Sequence, residues 1–105
     1  DIVREMANDW DFSPEGRVRQ SLRMKNLGDF EKKHGRIVIC DFVCPTKETQ
    51  QNFAPDITIW MNTIESGRYE DTNKMFEKPS DADYIITEMN DENHITISEQ
   101  ILKNV

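Results

Sequence analysis

Apolar and polar positions along the chain change period several times, and the changes outline the elements. Ser13-Pro14-Glu15 has the chemistry of a helix start: a hydroxyl to cap the first free amides, a proline whose fixed φ suits the first turn, and an acid at the positive end of the helix. A helix is expected from there to His34-Gly35, where Lys32, Lys33 and His34 supply cations for the negative end and Gly35 a permissive residue. Its apolar set, Val18, Leu22, Met24, Leu27 and Phe30, spreads around the circumference, which predicts cover on more than one side. Residues 36–43 then form a near-continuous β-branched run ended by Cys44-Pro45, the pattern of a strand buried on both faces of a parallel sheet. A second strand is expected over residues 57–61 and a shorter third over 84–87. The polar stretches 45–52 and 64–75 are long enough for crossover helices, and 98–104 reads as a closing helix. Strands alternating with helices predict one α/β domain over residues 1–105, with a parallel sheet.

Composition narrows the function classes. A chain of 105 residues suffices for one core, and its supply of Ile, Val, Phe and Trp is that of a folded domain. The net charge of −7 at pH 7 argues against coating a nucleic acid polymer or an anionic membrane, because both require a positive field. No apolar run approaches the roughly 20 residues of a membrane span, and the default location is the cytoplasm. Cys40 and Cys44 would lie about 13 Å apart on one straight strand, too far to bridge, so two reduced thiols are expected.

Pattern and composition stop at an acidic α/β domain, and further content comes from quoted motifs. Asp1-Ile2-Val3-Arg4 resembles the adenylylsulfate kinase pattern in which a strand-ending acid is followed by a short polar residue, valine and arginine. Asp11-Phe12-Ser13-Pro14-Glu15-Gly16-Arg17 is similar to that family's Gly-Phe-Ser-Pro-Glu-Asp-Arg, and residues 37–45 to its Val-Ile-Cys-Ala-Phe-Ile-Ser-Pro. The blocks run in the family's order, close over residues 1–45 and loose beyond. In the looser half, Asn73-Lys74-Met75-Phe76 falls near the family's Lys-x-Phe-Thr-Gly, with Glu77-Lys78 replacing Thr-Gly.

The resemblance implies a three-layer sandwich of the P-loop kinase type. The implied activity is ATP- and magnesium-dependent phosphorylation of the 3′-hydroxyl of adenylylsulfate, in sulfate activation. It also implies residue roles. Arg4 and Arg17 would grip the phosphosulfate, since guanidinium groups present several directed donors to an oxyanion. Phe12 and Phe76 would sandwich the adenine, Gln20 would contact the substrate where the family has asparagine, and Asp1 would orient or deprotonate the accepting hydroxyl. Each role has a plainer alternative. Arg17 could pair with nearby acids alongside Arg19 and Arg23, Phe12 could be a staple at the helix entrance, and Phe76 could fill a loop. Asp41, where the family has a small apolar residue, could face the site or pair with a base. Asp71 and Lys74, at helical spacing, read as a surface pair.

One part of the resembled domain is missing. The loop Gly-x-x-x-x-Gly-Lys-Ser/Thr that cradles nucleotide phosphates is not present, because Gly16, Gly28, Gly35 and Gly67 stand in no such arrangement. The family places that loop, with its central strand, ahead of the residue matching Asp1. The expected architecture is therefore an incomplete P-loop kinase-like sandwich, whose sheet is rearranged, completed by a partner or second copy, or completed by a preceding segment. Two other functions stay open: a kinase of related fold on another small hydroxylated substrate, and a non-catalytic domain that binds a nucleotide or a protein.

Overall fold

The computed structural model describes residues 1–63 and 74–104. Its elements run α1 (Ile2–Ala7), α2 (Pro14–Lys33), α3 (Lys47–Phe53), β1 (Ile59–Met61), β2 (Tyr84–Ile86) and α4 (Asp91–Lys103). The chain is a mixed α/β protein that divides into two compact units, one of residues 1–54 and 74–78, the other of residues 55–73 and 79–105.

The first unit is organised by α2. The Ser13 side chain accepts from the Gly16 amide at 3.2 Å and Pro14 occupies the first turn, as the sequence predicts. The buried face differs from the expectation. It is Gly16, Arg17, Gln20, Ser21 and Met24, a single stripe that is polar except for Met24, while Leu22, Leu27 and Phe30 are exposed. An apolar set scattered around a helix defines no stripe, so the face that packs is the one with a gap at Gly16 and polar groups that find partners. Helix α3 packs on α2 and carries a capping box. Thr46 accepts from the Thr49 amide, and the Thr49 hydroxyl accepts from the Thr46 amide, both at 3.1 Å.

The run 36–43 forms no strand. It stays without a ladder, with Ile37 and Val43 exposed and Ile39 89 % exposed. Its Cys40 instead approaches α2 at Gly28, where an added Cβ would lie 3.8 Å from Sγ. An apolar β-branched run supplies half of a strand; the ladder requires a neighbouring backbone, and no described segment supplies one. Cys40 and Cys44 are free thiols. Residues 74–78 return to this unit: Glu77 donates its amide to the Pro45 carbonyl, and Gln50 donates to the carbonyls of Cys44 and Glu77.

In the second unit β1 and β2 pair in parallel, with Ile59 opposite Tyr84, Trp60 opposite Ile85 and Met61 opposite Ile86. Asp83 fixes the register from below. Its carboxylate accepts from the Thr58 amide at 2.8 Å, and its own amide donates to the Thr58 carbonyl at 2.9 Å. Ile86 is the buried apolar residue of this pair. Helix α4 begins seven residues earlier than the 98–104 reading, because Asn90 caps it by accepting from the Asn93 amide at 2.8 Å. Most of the crossover stretch 64–75, and Asp71 of the expected Asp71–Lys74 pair, lie outside the described residues. No helix among the described residues is long and apolar enough to cross a membrane.

Candidate functional site

The loop between α1 and α2 is where the chemistry gathers. Residues 8–13 turn the chain back from α1 to the start of α2, beginning at Asn8, whose φ of 50° ends α1 in the left-handed conformation asparagine tolerates. Arginines from both helices close on the loop. Arg4 Nη1 donates to the carbonyls of Asp9 (3.0 Å) and Asp11 (3.2 Å), and Arg17 Nε donates to the carbonyl of Phe12 (3.2 Å). Outside this pair, Arg19 bridges Asp9 and Asp11 at 3.1 and 2.8 Å, and Arg23 meets Asp9 at 2.9 Å. The four arginines thus divide into two kinds. Arg19 and Arg23 are the acid-paired cations that the plainer reading assigned to this helix, whereas Arg4 and Arg17 are 5 % and 7 % exposed and bond to carbonyls.

That difference sets the electrostatics. Burial lowers the pKa of Arg4, with Asp9 opposing that shift, and Arg4 forms no ion pair among the described residues. Burial also lowers Arg17, and the charge of Arg4 lowers it further. Two cations share a partly desolvated space and repel one another there, an arrangement that an anion would relieve. Both guanidiniums lie over the ring of Phe12, Arg4 at 4.5 Å and Arg17 at 5.0 Å from its centroid. Phe12 is therefore stapled to the fourth position of α2 as the staple geometry requires, but its partner is a cation instead of an apolar residue.

A cavity of about 250 Å³ opens at this point, lined by Asp1, Arg4, Phe12, Arg17, Gln20, Asp41, Phe42 and Val43. Five of the six residues that the motifs singled out meet around it: Asp1 at the N-cap of α1, Arg4 on α1, Phe12 on the loop, and Arg17 and Gln20 one turn apart on α2. Phe76 is not among the lining residues; it precedes Glu77, whose carboxylate accepts from the Lys47 amide at the start of α3. Asp41, left open between facing the site and pairing, lines the cavity.

Three contributors escaped the sequence. Phe42 reads there as one residue of a strand, yet it forms part of the cavity wall and is braced edge-on by Phe53 at 5.1 Å. Gly16 stands where the resembled motif has aspartate, and an added Cβ would come within 2.1 Å of the Asp11 carbonyl oxygen. The loop closes on the helix only because that side chain is missing. Asp9 belongs to no motif and takes two arginines; its spacing from Arg19 and Arg23 carries no periodic signal.

No glycine-rich phosphate loop is present in the sequence, and no group of three or more His, Cys, Asp or Glu side chains among the described residues could hold a metal ion. No family model matches the chain, and neither the curated proteins nor the solved structures give a significant match.

Proposed function

We propose that residues 1–54 form the substrate-binding half of an adenylylsulfate kinase-like domain, holding adenylylsulfate for phosphorylation at its 3′-hydroxyl. The observation that supports this most is the convergence of Asp1, Arg4, Phe12, Arg17 and Gln20, chosen from motif resemblance alone, on one cavity. In this reading Arg4 and Arg17 take the phosphosulfate. The half-exposed Phe12 offers the adenine a flat face, and Phe42 takes the second aromatic position in place of Phe76. Asp1 and Asp41 are the acceptors in the wall, suited to orient a ribose hydroxyl and to keep the anionic end on the arginine side. At about 250 Å³ the cavity is slightly below the roughly 300 Å³ at which ligand sites usually begin, which fits the anhydride and one face of the base better than a whole nucleotide.

Phosphoryl transfer has no donor site among the described residues, so ATP and magnesium belong to a part of the domain these side chains do not build. The P-loop kinase sandwich and the cytoplasmic location belong to the same proposal, supported by the parallel pairing of β1 and β2. The exposed apolar run 36–43 supports a further strand or a second copy beside it.

A second reading, a binding domain without turnover, is favoured by the lack of a glycine-rich phosphate loop in this sequence. Calorimetric titration with adenylylsulfate and adenosine, without ATP, tests the shared claim. Tighter binding of adenylylsulfate is expected, and equal binding of the two would remove the phosphosulfate site. Adding ATP and magnesium to the full-length gene product then separates kinase from binding domain by whether 3′-phosphoadenylylsulfate forms.

A further inference from the structure

Gln20 is 6 % exposed and lines the cavity, and its carboxamide can face the open space either way. As an acceptor it would select a hydroxyl or amino group; as a donor, an oxyanion. The choice is made from outside the cavity. Arg23 Nη1 donates to the Gln20 carboxamide oxygen, and Arg23 Nη2 is held by Asp9 at 2.9 Å. A guanidinium has donors only, so the group of Gln20 that faces it must be the oxygen, and the NH2 is turned the other way. Among the described residues that NH2 has no protein acceptor, and no sealed side-chain atom lacks a partner, so the nitrogen reaches open space.

We propose that Arg23, held by Asp9, is a positioning residue that locks the Gln20 carboxamide as a donor. One side of the cavity then presents donors only, Arg4 from α1 with Arg17 and Gln20 from α2, and selects a tetrahedral oxyanion or anhydride over neutral polar groups. The acceptors Asp1 and Asp41 line the same cavity and disfavour an anion placed against them. The identity of the nucleotide rests on the function proposed above; the selection of an oxyanion does not.

The test uses inorganic pyrophosphate, which matches the phosphosulfate anhydride in shape, alongside adenylylsulfate and adenosine. Binding is followed by calorimetry and by the NMR signals of the Gln20 side-chain amide. Arg23→Met frees the carboxamide to rotate and is expected to weaken pyrophosphate by about tenfold or more, the worth of a hydrogen bond to a charged group. Arg23→Lys, which restores a donor-only partner, retains most of the affinity. Gln20→Glu keeps the contact with Arg23 but has no N–H to offer, and loses pyrophosphate as Arg23→Met does, so the inference stays testable if Arg23→Met fails to fold. Adenosine affinity is expected to be unchanged in the two Arg23 variants, which a general loss of structure would not allow. Pyrophosphate affinity equal to wild type in Arg23→Met and Gln20→Glu, or a Gln20 amide that does not shift on pyrophosphate binding, overturns the inference.

The two claims fail separately. If pyrophosphate binds with this dependence on Arg23 but adenylylsulfate binds no tighter, the nucleotide reading is wrong and the positioning role stands. If adenylylsulfate binds equally to wild type, Arg23→Met and Gln20→Glu, the positioning role is wrong and the nucleotide reading stands. If wild type binds neither anion, both are overturned.

Discussion

Replacing Arg4 by methionine separates a binding residue from a structural clip, because the two roles predict opposite balances between stability and affinity. Methionine keeps most of the buried length and removes the charge. The variant loses hydrogen bonds from Arg4 Nη1 to two carbonyls, at 3.0 and 3.2 Å, and a cation over the Phe12 ring at 4.5 Å. Hydrogen bonds to charged groups are worth about 1.5–3 kcal/mol each and a cation over a ring about 0.5–2 kcal/mol. Against that loss, the variant no longer buries a cation that has no ion-pair partner among the described residues, a burden of several kcal/mol, and it relieves the repulsion that adds to burial in lowering Arg17. Asp11 is exposed and its freed carbonyl can turn to water. The opposing contributions are similar in size, so the net change in stability is expected to be within about 1 kcal/mol, or roughly 4–8 °C in melting temperature for a domain of this size.

Affinity has no such compensation. An oxyanion that loses one charged hydrogen bond loses about 1.5–3 kcal/mol, roughly 10- to 150-fold. The assay is a thermal melt by circular dichroism paired with calorimetric titration of adenylylsulfate. A melt lowered by 15 °C or more, about twice that bound, with affinity intact would refute the reasoning and make Arg4 a clip for the loop.

Other outcomes follow from the same geometry. Phe42→Leu should weaken adenosine and adenylylsulfate alike by about 1–3 kcal/mol, the worth of an aromatic face under a base, while Phe76→Leu leaves both unchanged; the reverse pattern in a fluorescence titration would restore Phe76 to the site. Gly16→Ala must move the loop, because the new Cβ would meet the Asp11 carbonyl oxygen at 2.1 Å; both melting temperature and adenylylsulfate affinity should fall, and an unaffected variant would mean that the loop does not close on α2. Acid should act through the loop acids. Hydrogen bonds from Arg19 and Arg23 hold the Asp9 carboxyl well below its usual range, and Ser13, then Arg19, lower Asp11 to about 2. Both folded-state values lie below the ordinary 3.8 of the unfolded chain, so their contribution is complete above about pH 4 and is lost as pH falls toward 2. Melts across that window should lose this acid dependence in the Asp9→Asn/Asp11→Asn double variant, and retention of it would refute the assignment.

What the sequence made legible was mostly local. Helix α2 was expected over 13–34 and spans 14–33, because a serine cap, a proline at the first position and cations before a glycine act within one turn of themselves. The strands at 59–61 and 84–86 fall inside the expected runs. The run 36–43 misled because a strand is a pairing, and no local pattern reports whether a neighbour is present. Helix α1 was not foreseen: Asp1 was read as the end of a strand and stands at the N-cap of a helix that Asn8 ends. The 98–104 reading stopped short of the start of α4, where Asn90 decides the boundary.

The site followed the same division. Motif resemblance located five cavity residues, since Arg4, Phe12, Arg17 and Gln20 are fixed by two helices and a short loop. It did not locate Phe42, which reaches the cavity from a segment distant in sequence, nor the contacts of Asp9 and Arg23 that hold Gln20 from outside the cavity lining. Gly16 looked like a departure from the motif and is a condition of the loop's closure.

The central claim is that this cavity holds the phosphosulfate end of a nucleotide on Arg4 and Arg17. Its most direct test is calorimetric titration of the protein with adenylylsulfate and with adenosine, without ATP. Adenylylsulfate binding at least tenfold tighter, with the preference abolished in Arg17→Ala, is the predicted result, at the lower end of what one charged hydrogen bond contributes, about 1.5–3 kcal/mol. Equal affinity for the two ligands, or a preference that survives Arg17→Ala, would contradict it.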